Sequence, residues 1–160
     1  MAAALQARGI GPGSHVALLG ATTRPFVTAI QATWLAGATV VVLPLPMRLA
    51  SIEDFVAQTR RLIVHADAQV VVIDAQLSEF LDPQSGDPPI VQLNELRGAP
   101  GSYERPAEDP DALATLQFTS GATADPKGVM VPHRCMAANL DAAVTAAALD
   151  RDVATVVSWL

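Results

Sequence analysis

The chain has 160 residues, of which 51% are hydrophobic and 16% charged, enough apolar material for one domain with a buried core, which excludes an intrinsically disordered segment. Sixteen acidic against ten basic side chains leave a formal charge of −6; no Lys/Arg run with interleaved aromatics occurs, which excludes a nucleic-acid face. The single cysteine, Cys135, rules out an intramolecular disulfide and fits a reducing compartment.

The opening MetAlaAlaAlaLeuGlnAlaArg reads as the tail of a helix, because no charged start precedes an apolar core of signal-peptide length. Gly9, Gly11 and Gly13 precede the strand-like HisValAlaLeuLeu instead of following it, so they form a turn and not a dinucleotide fingerprint. A strand is expected over 16–20. Thr22 or Thr23 can cap the next helix, with Pro25 in its first turn, and Phe26, Ile30 and Trp34 fall on one face. Gly37 stands where the helix end needs a left-handed or closely packed residue, and the valine-rich run 40–43, stopped by Pro44, is the next strand. The apolar stretch 36–45 falls far short of the ~20 residues of a spanning helix. A cytoplasmic protein without a membrane span is expected.

Ser51 opens a second helix with Asp54 as a variant capping box, and Ile52, Phe55, Val56, Thr59, Leu62 and Ile63 follow helical spacing. The β-branched run 70–73 is a strand of the kind buried on both faces, and 90–93 is another. Segments 82–89 and 98–110, dense in proline, glycine and acid, read as surface loops. Residues 112–118 then lead as a strand into a hydroxyl-rich loop, and 129–131 form a short strand out of it. Met136, Leu140 and Val144 repeat at i, i+4, i+8 on a final helix, and 153–157 close the chain as a strand. Strands alternating with helices indicate an α/β fold with a mostly parallel sheet.

The loop carries the chemistry. Thr119, Ser120 and Thr123 group three hydroxyls around Gly121, which can take positive φ and bring the backbone close to an anion. Lys127 and Gly128 close the loop, and the lysine adds a mobile point charge suited to a polyphosphate. The P-loop signature is absent: glycine follows Lys127 and no hydroxyl comes next. His133 and Cys135 lack a second metal-like pair and read as ordinary packing residues, and Ser120 lacks the spacing of a hydrolase triad. Asp125 is read as a turn cap, since its charge would repel phosphate.

LeuGlnPheThrSerGlyAlaThrAlaAspProLysGlyVal resembles the signature loop of the adenylate-forming (AMP-binding) enzymes, roughly [YFL]TSG[ST]T[GST]xPKGV, matching at Thr119, Ser120, Gly121, Thr123, Pro126, Lys127, Gly128 and Val129. Ala122 and Ala124 depart from it, each removing a possible contact to phosphate or within the loop. TrpLeuAlaGlyAlaThrValValValLeuProLeu, from Trp34 to Leu45, is similar to the family's segment joining a helix to a core strand. Stretches 44–48, 58–63 and 66–73 and the final SerTrpLeu resemble the fatty-acyl-AMP ligase branch.

The resemblance implies that residues 1–160 are part of the large N-terminal domain, truncated at both ends, with the C-terminal lobe absent. It implies ATP phosphate binding by Thr119, Ser120, Gly121, Ala122, Thr123, Lys127 and Gly128, with Lys127 catalytic and no metal ligand in this chain. Magnesium accompanies ATP in the family, and the glutamate expected to bind it belongs to later segments. The implied reaction joins a fatty acid to AMP with release of pyrophosphate, for transfer to an acyl carrier protein, or to CoA in the synthetase branch. The other reading is a non-catalytic remnant that keeps the fold without the chemistry, and the 160-residue chain alone is expected to be inactive.

Overall fold

The computed structural model describes residues 1–46, 51–98, 101–119 and 126–148. Helix α1 (Ala2–Gln6) turns through Gly9 and Gly13, both at positive φ, into strand β1 (His15–Leu19). Thr23 caps α2 (Arg24–Leu35), its hydroxyl accepting from the Phe26 amide, with proline at the start of the helix. Strand β2 (Thr39–Val42) follows. Ser51 caps α3 (Ile52–His65) by accepting from the Asp54 amide at 3.0 Å, which bears out the expected cap. β3 (Val70–Ile73), β4 (Ile90–Gln92), β5 (Leu113–Thr119), β6 (Lys127–Pro132) and α4 (His133–Ala146) complete the order.

The strands form one sheet in the order β4-β3-β1-β2-β5-β6, parallel except for β6, which runs antiparallel to β5. Alternation along the strands sends Val16, Leu18, Val40, Val70, Val72 and Val91 to one face, under α1 and α2. Ala17, Leu19, Val41, Val71, Ile73 and Leu116 go to the other, under α3. β3 is buried at every position, as expected of a strand covered on both sides. α2 approaches the sheet through Phe26, Ala29 and Ala32, while Ile30 and Trp34 pack only partly buried at its flank.

Several expectations shift. β6 begins at Lys127, so Lys127 and Gly128 are strand residues and not the end of a loop. The fourth strand stops at Gln92 because Leu93–Leu96 turns into a 3₁₀ helix, and a second such turn, Ala75–Phe80, follows β3. Ile52 is 54% exposed; the buried face of α3 starts only at Phe55. The final helix is present, but none of its residues is buried. The expected strand 153–157 and the 47–48 part of the 44–48 resemblance lie outside the described residues.

Beyond β6 the fold offers open surface. Met130 is 65% exposed and Leu140 61%, and no strand among the described residues pairs with the outer edge of β6. An unpaired apolar edge invites association. The isolated chain should bind a hydrophobic dye strongly or self-associate with concentration; a protease-resistant monomer that binds no dye would contradict this.

On the α3 face, Arg60 fastens the 82–89 loop, donating to the Asp87 carboxylate and, at 2.6 Å, to the Asp82 carbonyl. Burial pushes the Asp87 carboxyl up. The Arg60 hydrogen bond, the Gln84 amide at 2.9 Å and the Arg60 charge outweigh that and hold it below the usual carboxylate value. A depressed folded-state pKa means stability that is present above the unfolded value and lost as pH falls through the folded one. Asp87→Asn should therefore cost about 1 kcal/mol near neutrality for this partly buried pair. The gap should close as pH drops below ~4, which denaturant unfolding at several pH values would read.

Candidate functional site

The hydroxyl-rich loop joins the two strands of the β5–β6 hairpin. Thr119 at the end of β5 lies opposite Lys127 at the start of β6, and the Thr119 hydroxyl reaches the Lys127 carbonyl at 3.4 Å. Both side chains are exposed. The predicted site residues Ser120, Gly121, Ala122 and Thr123, and Asp125 with them, lie outside the described residues. The structure thus brings together the two flanks of the predicted site, Thr119 and Lys127, with Gly128 next to them.

The hairpin tip stands at the carboxyl ends of the parallel strands, where open α/β sheets bind their ligands. Lys127 is the sole lysine of the chain, and none of the ion pairs among the described residues involves it. An exposed ammonium beside an exposed hydroxyl suits a polyphosphate. The same residues do not suit a metal: among the described residues no group of three or more His, Cys, Asp or Glu could hold one. Cys135 is an exposed free thiol.

Gly128 has a structural duty that sequence reasoning missed. It lies opposite Phe118, and a Cβ there would come within 2.9 Å of Leu116 Cδ1 and 3.4 Å of Phe118 Cε1. The glycine lets both apolar side chains lie across β6. The signal was available only as a pairing register, which the sequence alone did not supply.

A cavity of about 690 Å³ lies at the opposite, amino-terminal end of the sheet. It is bordered by the first residues of β1, β2 and β5, namely His15, Thr39 and Leu113, and by Trp34, Tyr103 and His133. Of the predicted phosphate-binding residues that are described, Thr119, Lys127 and Gly128, none borders it.

The AMP-binding enzyme family matches the chain over residues 1–160. The protein Rv1013 of Mycobacterium tuberculosis is 29% identical over 163 residues, covering 100% of this chain and 29% of that protein. Among solved structures, the fatty acyl-adenylate ligase from L. pneumophila, in complex with acyl adenylate and pyrophosphate, is similar with a TM-score of 0.78 and 28% identity, over 93% of this chain and 26% of that one. McyG A-PCP complexed with phenylalanyl-adenylate gives a TM-score of 0.81 and 27% identity, over 92% of this chain and 24% of that one. The chain spans less than a third of the length of each of these relatives.

Proposed function

The chain belongs to the AMP-binding enzyme family, and from that premise we propose that it forms part of the large N-terminal domain of a ligase that activates a carboxylic acid with ATP. The observation that carries this is the pairing of Thr119 with Lys127 at the open, carboxyl-terminal end of the sheet. A carboxylate oxygen of the substrate attacks the α-phosphorus, the bond to the leaving pyrophosphate breaks, and an acyl-adenylate forms.

Charge accumulates on the departing phosphates as that bond breaks. Lys127 neutralises it as a point charge that needs no fixed geometry. The Thr119 hydroxyl turns from the Lys127 carbonyl to donate to a phosphate oxygen, and Ser120, Gly121, Ala122, Thr123 and Gly128 contribute hydroxyls or backbone amides to the same anion. Magnesium, when bound with ATP, offsets phosphate charge; the described residues provide no ligand set for it, and none of these contributions depends on it.

The substrate we propose is a fatty acid, with an acyl carrier protein or CoA as acceptor, supported by the similarity to the L. pneumophila ligase over 93% of the chain. A second reading, an amino acid as substrate, is supported by the comparable similarity to McyG A-PCP. Exchange of labelled pyrophosphate into ATP separates them. It is measured with fatty acids and with amino acids on a polypeptide carrying this chain together with the segments that follow it in the longer relatives. Fatty-acid-dependent exchange supports the first reading, amino-acid-dependent exchange the second, and exchange with neither rejects both. The 160-residue chain alone should stay at background, and activity above it would overturn the view that other segments are required.

A further inference from the structure

The strand that carries the candidate site is fastened to the parallel sheet by one register pair and by three side-chain hydrogen bonds. β1 pairs with β2 and with β3 at four register positions each, whereas β2 and β5 share one pair, Val40 opposite Thr115. Past Thr115 the pairing of β5 is to β6, and Val42 is left 46% exposed. Beside that one pair, three side chains reach across. The Trp34 indole N–H donates to the Ala114 carbonyl at 2.7 Å, the Thr115 hydroxyl to the Val40 carbonyl at 2.9 Å, and the Thr39 hydroxyl to the Leu113 carbonyl at 3.2 Å.

Trp34 touches the hairpin's base on one side through Ala114 of β5 and, on the other, the start of α4 just past β6. Its ring meets His133 edge-on, with centroids 6.4 Å apart and planes at 73°, and His133 directly follows the last residue of β6. The fastened end is therefore the base of the hairpin, while Thr119 and Lys127 stand at its tip, five residues beyond Ala114 and so ~16 Å away along the strand. A small tilt at the base becomes a larger displacement at the tip. A two-stranded hairpin released from its sheet is marginally stable, so these contacts also decide whether the tip keeps a defined place.

We infer that Trp34, Thr39 and Thr115 are positioning residues, which set where Thr119 and Lys127 stand relative to the sheet. The inference rests on the reading that these two residues flank a phosphate site. None of the three stands at the phosphate end: Trp34 and Thr39 act on β5 from α2 and β2, and Thr115 anchors β5 itself to the Val40 carbonyl of β2.

The test compares the chain with its Thr115→Val, Thr115→Ser and Trp34→Phe variants by hydrogen exchange and by amine labelling at low protein concentration. Thr115→Val and Trp34→Phe should speed amide exchange at least tenfold in β5 and β6 and leave β1 and β3 at the wild-type rate. Thr115→Ser, which keeps the hydroxyl, should behave as wild type. Uniform acceleration in all strands, no acceleration, or a serine variant that matches the valine variant would each overturn the inference. In the second arm, ATP protects Lys127 from an amine-reactive reagent, and Thr115→Val should raise the ATP concentration for half-protection at least threefold. Unchanged half-protection beside faster exchange would also overturn it. A wild-type chain that ATP does not protect would sink the phosphate reading instead, and the exchange pattern would still decide whether these side chains fasten the hairpin.

Discussion

Lys127→Ala is expected to slow adenylate formation on the order of tenfold to a hundredfold, in any adenylating polypeptide that contains this chain. The side chain is exposed at the tip of the β5–β6 hairpin and opposite Thr119. A charge-assisted contact to a charged group contributes about 1.5–3 kcal/mol, and the charge grows as pyrophosphate leaves, so the loss should fall mainly on turnover. Single-turnover adenylation at saturating ATP is the readout. Ala122→Ser, which restores a hydroxyl usual in the family, should leave the rate unchanged or raise it. Equal rates for the wild type and Lys127→Ala would mean that the hairpin tip does not hold the triphosphate.

Gly37→Ala should have the largest effect on stability, about 2–4 kcal/mol, from two independent sources. The residue sits at φ +84, a backbone region that an L side chain adopts only at a cost. A Cβ at this position would also come within 3.1 Å of both Pro12 Cγ and Pro106 Cβ. Those prolines belong to the turn before β1 and to the segment before β5, which is tied down in turn by Gln6. The Gln6 side-chain amide donates to the Glu104 carbonyl at 2.6 Å and accepts from the Glu104 amide at 3.0 Å. Neither proline can retreat easily. Chemical denaturation would read the loss, and a variant within 0.5 kcal/mol of wild type, roughly the range of ordinary surface changes, would show that the end of α2 adapts freely.

The features legible in the sequence were those set by neighbours along the chain. The Ser51 cap, the helix-ending Gly37 and the buried strand 70–73 each follow from a few adjacent residues, and each stands where the pattern placed it. The signature loop offered an expectation of phosphate chemistry through its hydroxyls and lysine, and its flanks, Thr119 and Lys127, stand paired across a hairpin. What could not be read depends on partners far away in sequence. Trp34 looked like the third member of an apolar stripe, yet its indole N–H serves a carbonyl 80 residues on. Lys127 and Gly128 looked like loop because proline and glycine surround them, and only the antiparallel partner makes them strand. Thr39 and Thr115 carried no signal at all, since a threonine in a strand is ordinary until its hydroxyl finds the neighbouring backbone.

The most direct test of the phosphate assignment uses the fact that Lys127 is the only lysine in the chain. An amine-reactive reagent then has two targets, Lys127 and the amino terminus, and the second serves as an internal control. ATP, and inorganic triphosphate in its place, should slow modification of Lys127 in a saturable way while the amino terminus reacts at an unchanged rate. Labelling of Lys127 at the same rate with and without saturating nucleotide would contradict the assignment of the hairpin tip as the phosphate site.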